Sequence, residues 1–286
     1  MPHGHRATLT PLCQRAGSSC GACCGLYNRE DHGQSAVRER LDARTGALAL
    51  VPRTPEAFGA AAGRIAAAEP PPVFPSVRVC PLLGWIDPER TRVGCLAHPA
   101  VTGGPDLRDQ GVYDASLCES FLCPSHSWLT REEAEMVDFT CGDAWLYGLV
   151  VTDVPFVRAV LDAVGALCGA RLERRHLERA AVREGLWRLF SLKEELEPGS
   201  EGLFGAFRPG ADGEPAPRHI DYESMGREGS PWDAILLCVG ADPRSGNDLD
   251  RLEGEVRERL GNCARAMEAG APDRPTPDSW SRSCGR

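Results

Sequence analysis

Apolar residues recur at helical spacing in the last part of the chain. Leu249, Leu252, Val256, Leu260, Cys263 and Met267 stand three or four positions apart and predict one long amphipathic helix. Val157, Val160, Leu161, Val164 and Leu167 form a second such face. Both read as core stripes that need no cofactor. Ahead of them, Thr130-Arg-Glu-Glu133 has capping-box spacing, which predicts a helix start. Two further helices are predicted over 35–43 and 54–68, the second opened by Thr54 with Pro55 in its first turn and closed off by Pro70-Pro71-Pro72. Between 77 and 97 the pattern turns strand-like on either side of Asp87-Pro88. A hairpin centred on that turn sets Cys80 opposite Cys95, with Pro81 weakening the ladder. Residues 198–231 are rich in Gly and Pro and read as a long irregular loop, and the tail from Ala271 is expected to fray. No internal repeat is visible. The expected fold is α+β: a small cysteine-rich domain over 1–128, a mainly α-helical domain over 129–270, and a flexible tail over 271–286.

Composition narrows the function classes. With 286 residues and 42% of them hydrophobic, the chain has material for a sizeable core. A net charge of -9 and a pI near 5.4 lack the positive field that non-specific nucleic-acid binding needs. Almost all the positive charge is arginine; Lys193 is the only lysine, which reads as compositional bias. The first residues carry no apolar secretory stretch, and no run approaches the ~20 apolar residues of a membrane span. The expectation is a cytoplasmic protein that binds neither membrane nor nucleic acid. In that compartment its 13 cysteines stay reduced unless metal holds them, so their spacing carries the information.

Eight of them precede residue 124: Cys13, Cys20, Cys23, Cys24, Cys80, Cys95, Cys118 and Cys123. Cys13, Cys20, Cys23 and Cys24 fall within twelve residues among Gly, Ser and Arg, which is not the apolar setting of thiols acting as small hydrophobes. A Cys-x2-Cys knuckle lets two thiolates meet one ion, and the flanking glycines allow amide N–H groups near sulfur. Neighbouring Cys23 and Cys24 share one metal only if the backbone turns between them; otherwise they serve two sites, or one of them supports the other. Eight thiols fill two four-coordinate sites, or one cluster with spares, and the sequence does not choose.

Cys20-Gly-Ala-Cys23-Cys24-Gly25, then Cys80-Pro-Leu-Leu, Gly94-Cys95-Leu-Ala-His-Pro99 and Cys118-Glu-Ser-Phe121 follow one another in a fixed order. This series resembles the bacterial CxxCxxCC cysteine-cluster family (YkgJ-like), described as zinc- or iron-chelating, over about the first 130 residues. The resemblance implies metal binding through these cysteines, and a related cluster occurs in flagellin lysine N-methylases. The chain departs from the pattern at Gly17, where the family has its first cysteine. Cys13 lies four residues further upstream and is taken as the substitute ligand. In the third block, Ala97, His98-Pro99 and Cys118-Glu119 stand where the family usually has a tyrosine, an Arg-Pro pair and a cysteine followed by Arg.

The expected cofactor is zinc or an iron-sulfur cluster, with zinc slightly ahead; soft thiolates favour either over magnesium or calcium. His98 and His126 each follow a cysteine by three residues, but a surface or hydrogen-bonded role is the simpler reading. His3 and His5 are discounted, Cys141 reads as a helix-end residue, Cys168, Cys238 and Cys263 as core, and Cys284 as a thiol of the tail. The pairs Glu194-Glu195 and Arg174-Arg175 read as solvated face. No dinucleotide-type glycine loop, nucleophile elbow, phosphate loop or radical S-adenosylmethionine spacing is present. The first expectation is therefore a metal-binding protein whose helical region meets a protein partner. The alternative is a metal- or cluster-dependent enzyme of redox or group-transfer type.

Overall fold

The computed structural model describes residues 11–15, 17–196 and 205–269. In chain order it contains α1 (Gln34–Ala49), α2 (Pro55–Ala68), β1 (Leu83–Trp85), β2 (Val93–Cys95), α3 (Pro99–Thr102), α4 (Ala115–Ser120), α5 (Ser125–Trp128), α6 (Arg131–Thr140) and α7 (Ala144–Val151). There follow α8 (Val154–Cys168), α9 (Ala180–Phe190), α10 (Leu192–Glu195), β3 (Phe207–Pro209), β4 (Pro215–Pro217), α11 (Asp233–Cys238) and α12 (Gly246–Glu268). The architecture is mixed, helical for the most part, with two small antiparallel ribbons.

Local chemistry explains most of the boundaries. The Thr54 hydroxyl accepts the Ala57 N–H at 3.3 Å, and Glu69 turns extended before Pro70, so α2 begins and ends near the expected positions. The reciprocal capping box of Thr130 and Glu133 starts α6. By contrast, α1 continues past residue 43, because Leu48 falls on the same buried face as Val37 and Leu41.

The hairpin forms, but its register is not the expected one. Leu83 faces Cys95, Gly84 faces Gly94 and Trp85 faces Val93, so Cys80 does not stand opposite Cys95. Pro81 has no N–H with which to extend the ladder, and the strand begins only beyond it. The Cys80 N–H goes instead to the Cys24 carbonyl at 2.9 Å.

In the second half, α12 packs on α8 and α9, and α11 packs on α8. The stripe from Leu249 to Met267 is buried throughout. In α8, Val157, Val160 and Val164 are buried, but Leu167 is 46% exposed. A 3.6-residue period carries the face from Val164 to Cys168, which packs against the core in its place. The stretch expected to be irregular holds the β3–β4 ribbon, paired from Phe207↔Pro217 to Pro209↔Pro215. The tail from Ala271, with Cys284, and the histidines at 3 and 5 lie outside the described residues.

One core takes side chains from both halves of the chain: Leu12, Leu26, Tyr27 and Val93 join those of α6 to α12. A smaller cluster gathers Leu48, Phe58, Leu82, Leu96 and Leu107. Three side chains, Tyr27, Tyr147 and Trp145, tie helix α7 to the cysteine-rich segment. The Tyr27 hydroxyl donates to the Trp145 carbonyl at 2.9 Å, the Tyr147 hydroxyl to the Leu12 carbonyl at 2.8 Å, and the Trp145 indole to the His32 carbonyl at 2.8 Å. Gly148 makes room for this arrangement, since a Cβ there would lie 2.0 Å from the Tyr27 hydroxyl oxygen. Gly148→Ala gains helix propensity yet is expected to destabilise by about 1–3 kcal/mol through overpacking, read as a lowered urea midpoint. A midpoint equal to or above that of the parent would contradict the close fit. Among the described residues no helix is long and apolar enough to cross a membrane.

Candidate metal centre

The segment from Cys13 to Gly25 is built from tight turns. Cys20 donates its N–H to the Cys13 carbonyl at 3.1 Å, and a 3-10 turn over Ala22–Cys24 closes with the Gly25 N–H on the Ala22 carbonyl at 2.9 Å. In a 3-10 turn consecutive side chains diverge by ~120°. Cys23 and Cys24 therefore leave the backbone in different directions even though the chain turns between them.

Electrostatics shows where each of them goes. Cys23 interacts first with Cys123, through a hydrogen bond, and then with Cys20. Cys20 in turn senses Cys13 and Cys123, and Cys13 senses Cys123. Cys24 is raised by burial and then by Cys80, Cys95 and Cys118, with only a smaller influence from Cys20. Cys95 senses Cys80 and Cys118, and Cys118 senses Cys80. By their strongest mutual influences the eight thiols group as two foursomes, Cys13/Cys20/Cys23/Cys123 and Cys24/Cys80/Cys95/Cys118, with Cys24 also influenced by Cys20 and Cys23 by Cys24. They meet at the Cys23–Cys24 peptide bond.

Burial pushes Cys20 and Cys95 up to about 12, each against a backbone N–H that lowers it, from Ala22 and from Ala97. The Ala22 N–H lies 3.4 Å from the Cys20 sulfur. At the Cys23–Cys123 contact the Cys23 thiol donates, and that bond, helped by the N–H groups of His126 and Ser125, holds Cys123 below the usual thiol range. Amide N–H groups aimed at sulfur stabilise the thiolate form that a metal requires. Cys23 and Cys118 are exposed, so each foursome has one member facing solvent. Among the described residues, no group of three or more Cys, His, Asp or Glu side chains is already arranged to hold an ion. The thiols are gathered but not converged.

Gly25 keeps the second foursome together. It has φ 76°, and a Cβ there would stand 2.5 Å from the Arg78 carbonyl oxygen and 2.8 Å from the Val79 Cα. Only glycine tolerates both the left-handed backbone and that approach, which brings Cys24 beside Cys80. Gly25→Ala is expected to part these segments and to reduce metal uptake by the Cys24 foursome more than by the Cys23 foursome. Elemental analysis after reconstitution would check this, and undiminished uptake would remove the role assigned to Gly25.

Three neighbours carry no spacing signal in the sequence. Arg108, buried and paired with Asp106 at 2.6 Å, lowers both Cys95 and Cys118, so a cation faces the second foursome. Gly111 lies against Cys80, whose sulfur would be 3.1 Å from an added Cβ. Tyr113 senses Cys24, Arg78, Cys80 and Cys23, which places it at the junction of the two groups.

Other candidates behave as side-chain chemistry suggests. The His98 ring accepts the Ala100 N–H at 3.2 Å and caps α3. His126 gives its backbone N–H to the Cys123 carbonyl at 2.9 Å. Cys141 is buried at the end of α6, near Asp143 and Asp138. Cys238 and Cys263 are buried, and half-buried Cys168 directs its thiol to the Val164 carbonyl at 3.1 Å. Glu195 and Arg174 are more engaged than a solvated face implies: Glu195 pairs with Arg259 at 2.7 Å, and Arg174 lies 3.5 Å from the Phe139 ring centroid.

No family model matches the chain, and neither a curated protein nor a solved structure is significantly similar to it. The likeness to the cysteine-cluster family accordingly rests on the ordered cysteine blocks.

Proposed function

We propose that the chain is a metal-binding protein with two centres, one on Cys13, Cys20, Cys23 and Cys123 and the other on Cys24, Cys80, Cys95 and Cys118. Eight thiols from segments far apart in sequence influence one another in two sets, and this, with the Cys20 N–H on the Cys13 carbonyl at 3.1 Å and the Cys80 N–H on the Cys24 carbonyl at 2.9 Å, carries the reading. Thiols used only as small hydrophobes have no reason to assemble in fours from segments so far apart in sequence. The donor set suits zinc or an iron-sulfur cluster, both of which take four thiolates. Cys13 fills the role of the family's first cysteine from its own position, in place of Gly17. Loading requires the thiols to lose protons and turn inward, so uptake is expected to strengthen as pH rises. Metal and acid-labile sulfide content of protein purified without oxygen tests the proposal directly.

The solvent-facing Cys23 and Cys118 favour a second reading, in which an exchangeable ligand position supports redox or group-transfer catalysis. A protein partner remains part of the first reading, through the helical region. Exposed Leu117, Phe121, Leu122 and Trp128 add apolar surface next to Cys118 and Cys123.

A further inference from the structure

Glu69, at the end of α2, is held on both oxygens. Arg44 donates from Nε at 2.5 Å and from Nη2 at 2.6 Å, and Arg29 donates from Nη2 at 2.7 Å. Burial works against its charge, but the bonds from Arg44 and Arg29 outweigh burial and hold the carboxyl below its usual range. It is a fixed anion and not a proton acceptor.

The arginines outnumber their acids here. Arg40 lies one turn before Arg44 on α1 and senses Arg44, Glu69, Asp31 and Arg29. Its Nε and Nη2 are enclosed without a hydrogen-bond acceptor, and so is the Nε of Arg29, whose side chain is only 6% exposed. An enclosed charged donor with no acceptor is costly, and an anion that reached it would relieve that cost. A cleft of about 230 Å³ opens beside Arg29 and Glu69, with neither Arg40 nor Arg44 in its lining. Arg29, Glu69 and Arg78 line it, and Pro70, Pro72 and Pro81 wall it. Pro81 directly follows Cys80, so the cleft borders the second foursome. Within the lining two guanidinium groups, Arg29 and Arg78, stand against one carboxylate, Glu69, whose oxygens are already held by Arg44 and Arg29. The lining therefore carries a surplus of one positive charge, to which nearby Arg40 adds from outside it.

We propose that this cleft binds a phosphate-class dianion against Arg29 and Arg78, with Arg40 supplying further charge. The planar guanidinium fork matches a tetrahedral oxyanion in bidentate fashion, and a proline wall offers a rigid surface that loses little entropy on binding. Metal loading at the thiols is a separate question: binding of the anion is expected to survive Cys118→Ser.

Calorimetric titration of the intact protein with inorganic phosphate, at ionic strength fixed with sodium chloride, tests the assignment. A saturable 1:1 isotherm is expected. Arg78→Gln, at an exposed position, should weaken it by about ten- to a hundredfold, the loss of one charged hydrogen-bonded pair. Arg40→Gln should weaken it less, and circular dichroism should show both variants folded. Absence of phosphate binding in the parent protein overturns the proposal. So does equal affinity in both variants, which would indicate an adventitious ion only, and so does acetate binding as tightly as phosphate.

Discussion

Cys24→Ser is expected to remove one metal centre and Cys23→Ser the other, although the two positions are joined by a single peptide bond. The parent protein, purified without oxygen, should hold two equivalents of zinc, or iron with matching acid-labile sulfide and broad absorption near ~400 nm. Each single variant should fall to about one equivalent, and the double variant to none. The side chains diverge at the 3-10 turn, so that Cys23 is influenced chiefly by Cys123 and Cys20, and Cys24 by Cys80, Cys95 and Cys118. The stability effect should be correspondingly large, because a structural zinc site in a small peptide contributes ~10–16 kcal/mol of apparent folding free energy. Stripped protein should lose protease resistance over 13–123 first. One equivalent in the parent would favour a single cluster with spare thiols, and folded protein with no metal under any loading condition would end the proposal.

The second large effect is expected far from the thiols. Lys193, whose side chain is 1% exposed, places Nζ 2.6 Å from Asp153 and 3.0 Å from the Cys238 carbonyl, and 4.9 Å from the centroid of the Phe156 ring. Asp153→Ala leaves that ammonium buried without its counter-charge, at a cost of ~3–5 kcal/mol. It also removes the cap on α8, where Asp153 accepts the Phe156 N–H at 3.0 Å, for ~1 kcal/mol more. Lys193→Met combined with Asp153→Asn should recover much of the loss, since a matched apolar replacement of a buried ion pair is often neutral. Urea unfolding followed by far-ultraviolet circular dichroism measures both variants against the parent. A loss under ~1 kcal/mol for Asp153→Ala would mean that water reaches the pair. Metal content should not change in this series, which separates helical-core stability from thiol chemistry.

Lys193 also illustrates what a sequence hides. As the only lysine of an arginine-rich chain it reads as composition, and its pairing with a carboxylate 40 residues away depends on how α8 and α10 meet. Features set by neighbours in sequence were legible: the Thr54 cap, the Thr130–Glu133 capping box and the α12 stripe all depend on spacings of three or four. The hairpin was legible as a hairpin, but its register was not. Pro81 is a local signal against the expected pairing, yet the actual start at Leu83 follows from packing and from the Cys80 N–H being taken by Cys24. Leu167 failed for a periodic reason, as the 3.6 repeat moves the buried face to Cys168. The eight thiols were visible as a set, while their division into foursomes required chain closure from Cys13 to Cys123. Arg108 and Tyr113 had no signature, because a cation or hydroxyl near sulfur has no fixed spacing from it.

The contacts on α7 have a mechanical meaning. Leu12 and Tyr27 bracket all four thiols of the first segment, and each is tied to the same short helix, by Tyr147 and by the Trp145 carbonyl. The segment is a loop riveted at both ends to one strut. Any contraction of the sulfurs around an ion pulls on that strut, whose Trp145 indole is itself tethered to His32. Metal arrival should therefore be visible as a change in tryptophan emission, and the helices stacked behind α7 would receive the same displacement as a signal.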